Sequence, residues 1–240
     1  MVNLEEIKIT TKSKIIMELQ KENGQQGIIQ LSGVYLNSDN ITIEYTCLPG
    51  AHPKTKKYFI AIWQGEQPED ISAAIKTEKI TEDSSSGSFS WSDLGLQRKD
   101  YVIGLGVDSG VDTSICATLT IPEGVEDGAS LEASLSSLDT LSITNNSLVA
   151  SYVTPIFNLP ATNNNWIALF NNSFNANCFK GTGVVASTKA KSDNNSGNIT
   201  LNSLSLASKK PYTIVYGISF NKDSKPNFDN ITAYYNFTTK

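Results

Sequence analysis

The chain repeats its own pattern. Sliding residues 31–63 forward by 107 positions lays them on 138–170 without a gap. Tyr45 falls on Tyr152, Pro53 on Pro160, and Phe59-Ile60-Ala61-Ile62-Trp63 on Trp166-Ile167-Ala168-Leu169-Phe170. Farther on, residues 86–94 match 196–204 at a shift of 110, and after one more inserted residue Tyr101-Val102-Ile103 meets Tyr212-Thr213-Ile214. Insertions fall between apolar stretches while the spacing inside them is kept, as expected of two copies of one fold that differ in their loops. The repeat constrains architecture closely and activity hardly at all.

Inside each copy, apolar and polar residues alternate with the period of a half-buried strand. The pattern predicts strands at about 28–36, 41–48, 58–64, 87–92, 101–108 and 114–121, then 134–143, 147–154, 165–171, 197–202, 212–220 and 230–238. A weaker strand is expected in each gap, near 73–80 and 183–190. Turn residues punctuate them, as in Asp108-Ser109-Gly110 and Thr144-Asn145-Asn146. Short strands with no long helix predict an all-β chain of two tandem antiparallel immunoglobulin-like β-sandwich domains from an internal duplication. The expected boundaries are an N-terminal extension at 1–27, a first sandwich at 28–122 and a second at 125–240. In the extension, Ser13 suits the cap of a short helix through Ile15, Ile16 and Leu19, though Lys14-Ile15-Ile16-Met17 fits a strand nearly as well.

The motif order resembles a known family. A Leu/Ser-rich strand and a turn lead to Ile41-Thr42-Ile43-Glu44-Tyr45 and a Pro-containing loop. Next come the Trp166-Ile167-Ala168-Leu169-Phe170 run, Ser-Gly-x-apolar-x-apolar and Leu-x-x-x-x-Tyr. This is similar to the SKICH-type immunoglobulin-like module, whose third strand reads Trp-Ile-Gly-Ile-Phe/Tyr. Here Ala61 and Ala168 replace that Gly, and Phe59 stands where the module has Trp. The resemblance implies an interaction or accessory domain, a statement about fold more than role.

Composition excludes several roles. With a formal charge of −5, a pI near 5.0 and a single Arg (Arg98), the chain lacks the dense basic face that nucleic acid requires. Residues 1–122 hold 16 acids against 11 bases, whereas 123–240 hold 8 of each, so the first copy carries the net charge. Lys54, Lys56 and Lys57 read as a solvated loop. No stretch approaches the ~18 apolar residues of a membrane span. The start, Met1-Val2-Asn3-Leu4-Glu5-Glu6, lacks the apolar core of a signal peptide. The expected location is the cytoplasm, or outside it, either by a route without a classical cleaved signal or with the sequence already in its mature form.

Chemistry finds little purchase. The only His is His52, in the Leu48-Pro49-Gly50-Ala51-His52-Pro53 loop. Cys47, expected to point inward, has no orienting carboxylate with which to form a Cys–His pair. Cys116 is expected beside Thr118 and Thr120 on a polar strand face, which argues against a Cys47–Cys116 bridge, and free thiols are expected. Zinc spacing is absent. Gly104-Leu105-Gly106 lies within a strand and reads as structural. Asp108 with Asp112 and Asp223 with Asp229 read as turn caps, with calcium the less favoured alternative. The chain is therefore expected to be no enzyme, with no cofactor and no metal.

Face assignment supplies the candidate binding residues. If Ile60 and Ile62, or Ile167 and Leu169, face the core, then Phe59 and Trp63, or Trp166 and Phe170, flank Ala61 or Ala168 on the outer face. Phe157, Phe174, Phe179 and Tyr234 add further candidates for exposure. The alternative is that these aromatics are core, or are covered by the extension or the other domain. The expected function is non-catalytic tandem binding or adhesion, recognising a protein or glycan ligand through outer sheet faces and loops. A self-assembling homo-oligomer and a secreted effector or toxin component are the other readings.

Overall fold

The computed structural model describes residues 24–36, 40–108, 114–124, 131–144, 146–155, 157–220 and 225–239. The helix or strand expected around Ser13 lies outside them. The alternating segments of the first half form β1 (Gln25–Ile28), β2 (Gln30–Leu36), β3 (Ile41–Thr46), β4 (Phe59–Gln64), β5 (Lys76–Lys79), β6 (Ser86–Trp91), β7 (Tyr101–Gly106) and β8 (Ile115–Ile121). Those of the second form β9 (Glu132–Leu135), β10 (Ser137–Ile143), β11 (Ser147–Val153), β12 (Trp166–Phe170), β13 (Val184–Lys189), β14 (Ser196–Asn202), β15 (Pro211–Gly217) and β16 (Ile231–Thr238).

All pairings are antiparallel, and one strand order occurs twice. Three-stranded sheets β2-β3-β6 and β10-β11-β14 lie against five-stranded sheets β5-β4-β7-β8-β9 and β13-β12-β15-β16-β1. Between the first pair of layers Ile41, Ile43 and Tyr45 pack with Ile60, Ile62, Ile103 and Leu105. Between the second pair Leu148, Ala150 and Tyr152 pack with Ile167, Leu169, Ile214 and Tyr216. The protein is an all-β molecule built as β-sandwiches. At the start of β7, the Tyr101 hydroxyl accepts a hydrogen bond from Gln97 N at 2.8 Å; at the start of β15, Tyr212 does the same for Ala207 N at 2.9 Å. This tyrosine corner is a hallmark of immunoglobulin-like sandwiches. The repeated Ser-Gly of β6 and β14 also has a packing reason. The Tyr45 and Tyr152 rings lie over Gly87 and Gly197, where a Cβ would fall 2.5 Å and 2.9 Å from the phenol oxygens.

The leading strand of each half is split between the halves. Only Ile29 separates β1 from β2, yet β1 pairs with β16 from Gln25↔Asn236 to Ile28↔Ala233, while β2 pairs with β3. Only Ser136 separates β9 from β10, yet β9 pairs with β8, and β10 with β11. Both pivot residues are buried. Ile29 N donates to Thr232 O at 3.1 Å and Ser136 N to Cys116 O at 3.0 Å. Residues 25–27, grouped with the extension on sequence grounds, thus complete the second sandwich, and β9 completes the first.

One face assignment is corrected. In β8 the register steps from Gly106↔Ile115 to Leu105↔Ala117, so Cys116 is an inserted bulge residue. A bulge reverses the alternation locally. Cys116 therefore faces the interior with Ala117 and Leu119, while Ile115 turns to the outer face. The opposite-face argument against a Cys47–Cys116 bridge fails on this point, since both thiols share one interior. All three cysteines are nevertheless free.

Candidate functional site

The four aromatics expected on an exposed outer face are buried. Phe59, Trp166 and Phe170 are 0% exposed and Trp63 2%. Phe59, Ala61 and Trp63 do point away from Ile60 and Ile62, as alternation predicts. The outer face is itself covered, however. In the first half these three pack with Val102 and Ile115 under Ile71 and Ala74, which belong to the β4–β5 connection, and under Phe157 of the second half. Trp63 Nε1 donates to Asp70 O at 3.1 Å. In the second half Phe228 meets Trp166 and Phe170 edge-on, with centroids 5.4 Å and 5.8 Å away. Trp166 Nε1 donates to Ser219 O at 2.8 Å.

Phe174, Cys178 and Phe179, from the β12–β13 connection, belong to the same cluster. Phe179 and Tyr234 are buried, and Phe157 and Phe174 half-buried, with Phe174 stacked on Tyr234 at 4.0 Å. The apolar residues inside these two connections were the signal that a cover existed. Gly106 and Gly217 let the aromatics lie flat on β7 and β15. A Cβ there would sit 2.2 Å from the Phe59 and Trp166 rings respectively, so the Gly-x-Gly run is structural.

The thiols are poorly placed for nucleophilic work. Burial pushes the Cys47 thiol up to about 12, and burial, then the neighbouring Cys47, holds Cys116 well above its ordinary value. A buried, protonated thiol is inert, because the thiolate is the reactive species. The imidazole of His52 is exposed, in a different environment from the buried Cys47. Among the described residues no group of three or more His, Cys, Asp and Glu side chains converges where a metal ion would sit. Asp112 and Asp223, on which the calcium alternative depends, lie outside the described residues, and Asp229 is engaged by Lys56.

What the sequence reading passed over is a pair of loops, β3–β4 and β11–β12, that adopt one conformation twice. Lys56 N donates to His52 O at 2.8 Å, Lys57 N to Lys54 O at 3.1 Å and Tyr58 N to Pro53 O at 2.8 Å. Asn163 N to Leu159 O, Asn164 N to Ala161 O and Asn165 N to Pro160 O repeat these bonds at 2.8, 3.1 and 2.8 Å. Lys57 and Asn164 take matching left-handed conformations, with φ of 60° and 54°. A carboxylate clips each loop from outside: Asp83 accepts from Thr55 N and Oγ1, and Asp193 from Thr162 N and Oγ1. The threonine backbone bond is the main reason both carboxyls titrate below their ordinary 3.8.

Each loop also reaches into the other half. Lys56 Nζ pairs with Asp229, and the buried Tyr58 donates its hydroxyl to Asp229 O at 3.3 Å. In return Asn158 Nδ2 donates to Ile115 O at 3.4 Å, while its Oδ1 accepts from Asn165 Nδ2, which also donates to the Tyr216 hydroxyl. On these fixed frames the outward residues differ. His52, Lys54 and Lys57 are exposed on one loop, Leu159, Thr162 and Asn164 on the other.

No protein-family model matches the chain, and no curated protein does. Among solved structures it is similar to "Biofilm associated protein - BSP domain", at 12% identity and a TM-score of 0.25 over 84% of this chain. It spans 28% of the length of that chain. A second similarity is to the sensor domain of the anti-sigma factor RsgI4 of Pseudobacteroides cellulosolvens. There the identity is 14% and the TM-score 0.27, over 44% of this chain and 74% of that one.

Proposed function

We propose that this chain is a non-catalytic binding protein that meets a protein partner through the β3–β4 and β11–β12 loops. One observation carries the reading: two loops of the same conformation, held by the same hydrogen bonds, end in different exposed side chains. Recognition residues concentrate on loops that a rigid scaffold positions. Here His52 and Lys54 answer to Leu159 and Ala161, so a constant frame presents two dissimilar tips. A protein partner is favoured over a glycan, because the aromatics that would stack on sugar rings are enclosed. The thiols are enclosed too, which argues against a Cys–His pair built on His52.

The test is a protein-array screen of the wild type beside a Lys54→Ala/Lys57→Ala variant and a Leu159→Ala variant, with a hydrolase and transferase activity panel in parallel. Retention of a defined protein, lost in either loop variant while the melting temperature is kept, supports the reading. Turnover by the wild type that vanishes in His52→Ala or Cys47→Ser overturns it.

A further inference from the structure

We propose that β13 is an open pairing edge, and that its occupant is the β13 of a second copy of this chain in a two-fold antiparallel arrangement. This goes beyond the loop-mediated binding reading and does not depend on it. β13 ends its sheet, with β12 on one side and no described strand on the other. Ala190 N donates to Asn165 O, continuing the register in which Thr188 faces Ile167 and Ala186 faces Leu169. Hydrogen-bonded and non-bonded pairs alternate along an antiparallel ladder. Thr188 and Ala186 therefore spend their backbone groups on β12, while Ser187 and Lys189 turn theirs outward.

The matching edge, β5, is guarded. It reads Lys-Thr-Glu-Lys, and charge on an edge strand is a common defence against pairing. β13 reads Val-Val-Ala-Ser-Thr-Lys, with Val184 and Val185 exposed. Its one charge is drawn aside: Lys189 Nζ donates to Asn164 Oδ1 at 2.9 Å and sits 4.1 Å over the Phe220 ring. A two-fold axis through Thr188 pairs Ser187 of each copy with Lys189 of the other. All the outward groups of the two residues are then satisfied, and no like charges oppose. The same arrangement on β5 sets Glu78 against Glu78, which cross-strand pairing disfavours. The bulge at Val184–Val185 lies outside the pairing segment. In this register Val185 comes beside the stem of Lys191 in the other copy.

The experiment is sedimentation of the full chain from micromolar to millimolar concentration. Expected is a mass that rises with concentration from 26.0 kDa toward twice that value. Ser187→Pro removes an outward N–H without touching the β12 ladder, and should hold the protein monomeric across the series. Thr77→Pro, the equivalent change on β5, should leave the association intact. Ser187→Lys, on an exposed side chain that cannot disturb the core, should weaken association at least tenfold, less so in high salt. A wild type that stays monomeric at every concentration, as it would if β13 served a strand of some other molecule, overturns the proposal. So does association that survives in both Ser187 variants.

Discussion

The two halves share a backbone but cover their outer sheet faces differently. On the first five-stranded sheet, Phe59, Ala61 and Trp63 form a small separate cluster, roofed by Ile71, Ala74 and Phe157. On the second, Trp166, Ala168 and Phe170 merge through Phe174, Phe179 and Phe228 into a core that also contains the first interior. Loop frames and tyrosine corners obey the repeat; the roofs do not. Hydrogen bonding thus repeats what the halves have in common, while the apolar side chains of several different connections cover each sheet in its own way.

Removing the tryptophans tests that asymmetry most forcefully. Trp63→Ala and Trp166→Ala should each cost about 3–5 kcal/mol, the range for a buried aromatic cut to Ala. Trp166→Ala should fall at the upper end, because its cluster is continuous with the other half. Urea unfolding followed by circular dichroism and by the fluorescence of the remaining tryptophans should give coincident single transitions in both variants. Two separated transitions would show that the halves unfold independently.

A smaller effect is expected at the glycines beneath the rings. Gly106→Ala and Gly217→Ala each force a methyl into an aromatic face, so overpacking should cost about 1–3 kcal/mol in each. Similar losses would show that both roofs press equally hard on their sheets. A loss confined to Gly217→Ala would mark the first roof as yielding.

The smallest effect belongs to the carboxylate clips, and it depends on pH. Both carboxyls have folded values below the ordinary 3.8, so their stabilisation is full above that value and is lost as pH falls through the folded value. Melting temperature measured from pH 6 to pH 2 should fall less steeply below about pH 4 in Asp83→Asn and Asp193→Asn than in the wild type. The two variants should behave alike, because the two clips are built alike.

Much of this was legible beforehand. Strand positions followed from alternation, since a half-buried ribbon cannot hide a period of two. The directions of Phe59 and Trp63 followed by the same logic. Their burial did not, because a face is exposed only if nothing folds back over it, and that depends on where the β4–β5 and β12–β13 connections go. The side of β8 on which Cys116 lies was lost to a single bulge residue. The shared strands were out of reach altogether. Ile29 and Ser136 are ordinary buried residues, and nothing in their identity announces that the chain changes partners there. The loop pair was visible only as a faint match, Pro53 with Pro160, until its hydrogen bonds could be compared.

The crossing of β1 into the second sandwich has a consequence for biosynthesis. The earliest described strand finds its neighbour in the last, some two hundred residues downstream. Neither lobe can therefore close from its own contiguous stretch of chain alone. The first must wait for residues 132–135 to leave the ribosome, and the second needs its carboxy-terminal strand to come back and meet β1. Pairings of such long sequence separation form slowly, since the loop entropy is lost before the contact is gained. Closure of the second lobe should accordingly be the slower event, with the edge of β16 left bare until it meets β1.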